Sequence, residues 1–270
     1  MTTQTKTILL TGSTDGIGLE TARMLAASGH HLLLHGRNAD KLDRVVDEVS
    51  GIASAGPVER YVADLSTMAD VDAMAQAIAD AHSHLDVLIN NAGVFNTSTP
   101  ITPEGLDVRF VVNTLAPYRL TQRLLPLMNA SGRVVNLSSA AQSPVSIDAM
   151  LGSTRLSDFE AYAQSKLAIT MWSRTLAKSL GEAGPVVVSV NPASMLGTKM
   201  VKDAFGVSGN DISIGADILV RAATSDEFAD ASGKYYDNDA RRFGPPHAHA
   251  LDDQRCAPVL EAIETLLARS

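Results

Sequence analysis

Tyr162 and Lys166 stand four residues apart in the stretch FEAYAQSKLA, and Ser139 lies twenty-three positions upstream of the tyrosine, in NLSSAAQ. On a helix, residues i and i+4 share one face about one turn apart. A free phenol is a poor base at neutral pH, with a pKa near ~10. An ammonium fixed beside it favours the phenolate, and bringing that pKa toward ~7 requires roughly 4 kcal/mol of differential stabilisation. A tyrosine tuned in this way can donate a proton as a carbonyl is reduced and accept one as an alcohol is oxidised, a contribution of typically ~10²–10⁴-fold. A serine hydroxyl at a strand end can donate to the substrate oxygen as negative charge develops there. In isolation, Y-x-x-x-K is more often a surface pair than a catalytic one. Its weight here comes from what precedes it.

What precedes it is a glycine loop, TGSTDGIG, running from Thr11 to Gly18. It follows the apolar run KTILLT and leads into a segment of helical period, so it occupies the first strand-to-helix turn. Its glycines, Gly12, Gly16 and Gly18, are spaced four and then two apart, which is not G-x-G-x-x-G. The physics is nonetheless that of a pyrophosphate cradle: a tight turn at Gly12, close backbone approach at Gly16, and close helix packing at Gly18. The free N–H groups and positive dipole end of a helix complete it. Ser13, Thr14 and Ile17 belong to the same cradle. Just past the second strand, an acidic side chain would accept from a ribose 2′-hydroxyl and repel a 2′-phosphate. This chain has Gly36 and then Arg37 there, leaving room for a phosphate and supplying a planar donor fork. The expectation is NADP(H) over NAD(H), with Asp15 inside the loop as the contrary feature.

The elements that must position these groups are legible as alternation. Short strands such as HLLLHG, VERYVAD, LDVLINNAG, GRVVNLSS and PVVVSVN alternate with Ala-rich segments of helical period. Strands that are apolar throughout, separated by helices, predict a parallel sheet covered on both faces, an α/β fold. Long helices are expected over about 103–128 and 158–183, a helix near 215–225, a short strand at GKYYD and a final helix. No repeat or polar linker divides the 270 residues, so one domain is expected. Hydrophobic residues make up 45% and charged residues 19%, enough for a large core, and the net charge is −8. That acidic balance argues against a nucleic-acid or membrane-surface partner. The single Cys256 permits no internal disulfide and reads as structural. No run is long enough to span a membrane and the amino terminus does not read as a signal peptide, so a cytoplasmic location is expected. His247 and His249, an H-x-H without clustered acids or cysteines, predict no metal.

In order along the chain, the glycine loop, Asp64–Leu65, Asn90–Gly93 (NNAG), Asn113, Ser139 and Tyr162–Lys166 resemble the motif series of the short-chain dehydrogenase/reductase family, over roughly residues 5–235. The stretch TPEGLDVRFVVNTLAPYRLT and the long serine-to-tyrosine interval resemble its retinol-dehydrogenase-like branch, here without a membrane anchor. The resemblance implies a Rossmann-type doubly wound sheet. It further implies that Asp64 and Leu65 border the adenine, that Asn91, Ala92 and Gly93 lie along the cofactor, and that Lys166 also holds the nicotinamide ribose. Asn113 would hold a water between Lys166 and solvent. Asn90 is expected to be structural. Val135, Leu137 and Ser139 share one strand face, and the family register selects Ser139 over Ser138. Thr198 is the best match to a threonine that reaches the cofactor, displaced by one residue after Pro192-Ala193, where relatives carry Pro-Gly.

The loop after Ser139 and a lid over about 193–214 are expected to wall the substrate site. Met150, Leu151, Met195, Leu196, Met200 and Phe205 would form a soft apolar mouth for a lipophilic carbonyl or alcohol. The long helices carry more apolar residues than one sheet face needs, and relatives pair them across a dimer axis, so a homodimer or homotetramer is expected. Two other functions compete: a catalytically silent NADP(H)-binding redox sensor, and reduction of an activated C=C bond by the same groups.

Overall fold

The computed structural model describes residues 5–269, apart from the side chains of residues 204 and 205. The mouth residue Phe205 and the first four residues of the amino terminus therefore lie outside the described set. The first half alternates strictly: β1 (Thr7–Leu10), α1 (Gly16–Ala27), β2 (His31–Gly36), α2 (Ala39–Ser50), β3 (Val58–Val62), α3 (Met68–Ala81) and β4 (Val87–Asn90). A turn through Pro103 follows, held by a bridge between Ile101 and Asp107. The helix expected from about residue 103 therefore begins later, as α4 (Val108–Phe110), a π-helical segment (Val111–Leu115) and α5 (Ala116–Leu124). Next come β5 (Arg133–Leu137), the short α6 (Ile147–Met150), the long α7 (Asp158–Leu180), β6 (Val186–Asn191), α8 (Lys199–Phe205) and α9 (Ser213–Thr224). The chain ends with β7 (Tyr235–Asp237), β8 (Arg242–Gly244) and α10 (Asp253–Leu267).

The eight strands form one sheet in the order β3-β2-β1-β4-β5-β6-β7-β8. All pairs are parallel except β7 with β8. The antiparallel edge β8, in RRFG, carries no apolar alternation and was not anticipated. Along the central strands, alternate side chains enter two cores. Leu9, Leu33, Leu88, Val134 and Val187 face α3, α5, α7 and α10. Ile8, Leu10, Leu32, Leu34, Ile89, Val135 and Val188 face α1, α2 and α9. This is the doubly wound arrangement. Its strand order reverses between β1 and β4, so a crevice opens there at the carboxyl ends of the strands.

Helix α10 revises one expectation. Cys256, Val259, Ile263, Leu266 and Leu267 join the same core as Tyr118, Trp172 and Leu176 of α5 and α7. The Tyr118 hydroxyl donates to Glu264 at 2.9 Å, and Lys178 pairs with Asp253. The surplus apolar residues on the long helices are thus covered by the chain's own terminal helix, and they no longer argue for a second copy. Cys256 is buried within that packing, as a structural residue would be. Among the described residues, no helix is long and apolar enough to cross a membrane.

Candidate active site

The glycine loop is held from several sides. Thr11 Oγ1 donates to the Ile89 carbonyl and accepts from the backbone N–H groups of Asn91 and Ala92, both at 3.1 Å. Gly12 turns with φ +68 and lies so close to β4 that a Cβ there would stand 2.8 Å from Ala92 Cα. A Cβ on Gly18 would strike the Gly12 carbonyl at 2.1 Å, so only glycine lets α1 pack down on the turn. Helix α1 starts with no acidic side chain in its first turn beyond its cap, Asp15, whose carboxylate accepts from Gly16 N–H at 2.8 Å. The residues present therefore fit a pyrophosphate group: a close backbone cradle ahead of a helix amino terminus.

Several predicted residues serve this cradle from behind. Ser13 is fully buried, and its hydroxyl and N–H both donate to the His35 carbonyl. Asn91 donates its amide to the carbonyls of Thr11 and Gly12, at 2.8 and 3.0 Å, bracing the loop rather than reaching out of it. Asn90 bridges Thr121 and Asn136, the structural role expected of it. Ile17 leans toward Gly215 of α9. Thr198 caps α8 through Val201 N–H, and its methyl lies over Gly16, 3.5 Å from where a Cβ would be. The segment carrying Thr198 thus packs directly on the loop despite the displaced register.

Beyond β2, Thr14 occupies the space above Gly36: a Cβ on Gly36 would lie 2.5 Å from Thr14 Cγ2. Arg37 is exposed and has no ion-pair partner among the described residues. Asp64 accepts from the N–H and hydroxyl of Ser66 through one carboxylate oxygen, and Leu65 is buried in the core below it.

Ser139, Tyr162 and Lys166 meet, the pair as its helical spacing implied and the serine as the resemblance implied. Helix α7 is started by a reciprocal cap between Ser157 and Glu160, one turn before Tyr162. Lys166, 4% exposed, donates Nζ to the Leu137 carbonyl at 2.8 Å and stands 5.7 Å from the Tyr162 ring centroid. Burial brings its ammonium down to about 8. Burial also raises the Tyr162 phenol above its usual value, while a hydrogen bond with Ser139 opposes the rise. The lowered phenol pKa expected here rested on the ammonium together with a cationic nicotinamide ring; of the chain's own groups, burial acts first, and it disfavours charge on both Tyr162 and Lys166. Ser138 is turned inward to the Lys166 carbonyl and Thr170, which leaves Ser139 as the site serine.

Asn113 lies beside Lys166: a Cβ on Gly93 would stand 3.3 Å from its Oδ1 and 3.5 Å from Lys166 Nζ. It lies in the π-helical segment, where its side chain accepts from Val94 N–H at 2.8 Å and donates to the Val94 carbonyl and Ser165. Its amide ties the loop after β4 to α7.

The apolar mouth also needs revision. Met150 and Leu196 are fully buried core residues. The groups nearest the phenol are Phe95, whose ring meets Tyr162 edge-on at 4.9 Å, and Phe159, which meets Phe95 at 6.5 Å and is 55% exposed. Met195 is also exposed, at φ +55. Four further residues escaped the sequence reading. Tyr235 and Gln142 donate to the Ser139 carbonyl at 3.0 and 2.9 Å. Arg109, 1% exposed, pairs with Asp107 through two bonds and with Asp158 at the start of α7. His35 accepts from Gly12 N–H. An Asp two before an Arg in GLDVRF was a visible signal for the ion pair; nothing comparable marked the other three.

A doubly wound sheet, a glycine cradle at its switch point and a Ser–Tyr–Lys group beside that cradle define a dinucleotide-dependent oxidoreductase. The chain belongs to the short chain dehydrogenase family, whose model matches residues 6–206. It is 30% identical over 264 residues to retinol dehydrogenase 13 of Homo sapiens, covering 90% of this chain and 79% of that one. An uncharacterised protein from Mycobacterium Paratuberculosis superposes with a TM-score of 0.78 at 28% identity, over 97% of this chain and 92% of that one. A short chain dehydrogenase from Shigella flexneri 2a str. 301, solved with NADP, gives 0.69 at 28% identity over 87% and 97%.

Proposed function

We propose that the chain interconverts a carbonyl and an alcohol with NADP(H), Tyr162 moving the proton. The observation that carries this reading is the meeting of Ser139, Tyr162 and Lys166 beside the glycine cradle, with Ser139 bonded to the phenol. The dinucleotide, when bound, supplies or removes the hydride. The chain's own residues do the rest. Gly12, Gly16 and Gly18 present backbone to the pyrophosphate, Ala92 and Gly93 flank the crevice, and Leu65 and Asp64 border the adenine. Ser139 donates to the substrate oxygen, its carbonyl pinned by Tyr235 and Gln142 so that the hydroxyl keeps its aim. Because burial keeps the phenol protonated at neutral pH, Tyr162 is ready to give its proton to a carbonyl oxygen.

NADP(H) is favoured over NAD(H) because Thr14 fills the place where an acidic side chain would stand and Arg37 lies free beside it. The solved relative with NADP is consistent with that choice. Phe95, Phe159 and Met195 support a lipophilic substrate, and the human relative carries such an alcohol in its name.

The test is a carbonyl panel followed by NADPH and NADH absorbance in parallel, with product analysis. Tyr162→Phe should abolish turnover with NADPH binding nearly intact, and retained activity would remove Tyr162 from its role. Arg37→Asp should shift the kcat/KM ratio toward NADH, and an unchanged ratio would contradict the cofactor assignment. Tight NADPH binding without turnover across the panel would favour the redox-sensor reading. A saturated C–C product in place of an alcohol would favour C=C reduction.

A further inference from the structure

We propose that His35 is a positioning residue for the dinucleotide: its neutral ring fixes the turn at Gly12, and a second proton on that ring releases the turn and weakens cofactor binding. The inference rests on the cofactor reading above and adds to it a residue outside the glycine loop.

His35 is the penultimate residue of β2 and is 3% exposed. Its Nδ1 accepts from Gly12 N–H at 3.1 Å, and its Nε2 lies 3.1 Å from the Ala63 carbonyl. A carbonyl can only accept, so Nε2 carries the proton and Nδ1 offers its lone pair. The same residue's carbonyl accepts from both the N–H and the hydroxyl of Ser13, at 2.9 and 3.0 Å. One residue therefore holds two successive loop residues, by ring and by main chain. Through Ala63 it also ties them to the segment leading to Asp64 and Leu65. The loop, the adenine border and β2 are joined at a single imidazole.

That joint exists in one protonation state. An imidazolium has two donors and no acceptor, so Gly12 N–H would face another N–H. Burial lowers the ring's basicity, while the Ala63 carbonyl and the charge of Asp64 work in the opposite sense. The neutral state holds through neutral pH and gives way under acid.

Two substitutions separate the ring's contacts. The Asn oxygen can take the place of Nδ1, so His35→Asn keeps an acceptor for Gly12 that does not titrate. His35→Gln reaches instead toward Ala63 and leaves Gly12 N–H without its acceptor. Binding to the full chain is measured by nucleotide fluorescence, with thermal melts confirming that each variant is folded. NADH is the main probe, because it has no 2′-phosphate to titrate, and NADPH is run beside it. Wild type should lose affinity for both nucleotides progressively as the pH falls from about 8 to about 4.5, the loss setting in below the ordinary imidazole range because burial lowers the ring's basicity. H35N should bind within about threefold of wild type at the higher pH and show no acid loss, whereas H35Q should be about tenfold weaker at both. A wild-type pH slope retained in H35N, or wild-type affinity in H35Q, would overturn the proposal. If neither variant folds, wild type still decides, since NADH affinity that is flat over this range sinks it. Absence of nucleotide binding by wild type at the higher pH would count against the cofactor reading instead.

Discussion

Replacing Lys166 by methionine should kill turnover and at the same time stabilise the fold. Lys166 is buried, its ammonium meets the Leu137 carbonyl, and desolvation brings its pKa from the usual 10.5 to about 8. The sign follows from proton counting. Between about pH 8 and 10.5 the unfolded chain binds more protons at this residue than the folded one, so stability rises with pH through that window. Below it, the folded chain carries the full cost of a buried charge. A gap of about 2.5 pH units at ~1.36 kcal/mol each makes that cost about 3 kcal/mol at neutral pH. Methionine fills nearly the same volume without the charge. It leaves the Leu137 carbonyl without its donor, a loss of about 1 kcal/mol. The net gain is about 2 kcal/mol at pH 7, roughly 4–6 °C in Tm for a chain of this size. By about pH 9.5 the wild-type cost has fallen by about 2 kcal/mol and the advantage should vanish. Urea denaturation of both proteins at the two pH values measures this. A variant that is less stable at pH 7, or one whose advantage does not change with pH, would refute the reasoning.

Two other substitutions test the surrounding scaffold. Arg109→Met leaves Asp107 buried without its two-bond partner and should cost about 3–5 kcal/mol in urea denaturation; a loss below about 1 kcal/mol would show that the pair is not needed to seat α7. Ala193 sits at φ +106, a conformation that costs a non-glycine residue about 1–3 kcal/mol. Ala193→Gly relieves that strain against ~0.4–1 kcal/mol of added unfolded-state entropy, so Tm should rise, and a lower Tm would show that the strain is not there.

What the sequence disclosed was whatever depends on local order. Strand-helix alternation revealed the parallel sheet, because both faces of each central strand are buried and the strands read as unbroken apolar runs. The glycine loop was legible because positive φ and tight approach leave a residue type as their trace. Tyr162 and Lys166 were legible because one helical turn joins them. The misreadings share the opposite property. Met150 and Leu196 looked like a mouth, but apolar type does not distinguish a lid from a core, and both are buried. The surplus on α5 and α7 looked like an interface until α10, more than seventy residues downstream of α7, was seen to cover it. His35 gave no signal because its role needs the β1–β2 pairing register and the β3 end together. Ala193 is an intermediate case: its departure from Pro-Gly was visible, but the strain it implies needed a backbone angle.

The catalytic pair shows why sequence distance and protonation must be argued separately. Four-residue spacing correctly brought an ammonium near a phenol, and the lowered phenol pKa expected there rested on that charge together with a bound cationic nicotinamide ring. The same burial that creates the site acts on both members, lifting Tyr162 and lowering Lys166, so each is pushed toward its neutral form. An ion pair of phenolate and ammonium would need their mutual attraction to exceed two desolvation costs, and at 5.7 Å from the ring centroid the ammonium is directed to a carbonyl instead. Burial thus favours the protonated phenol, and the reduction proposed above is the direction in which Tyr162 needs no prior loss of a proton.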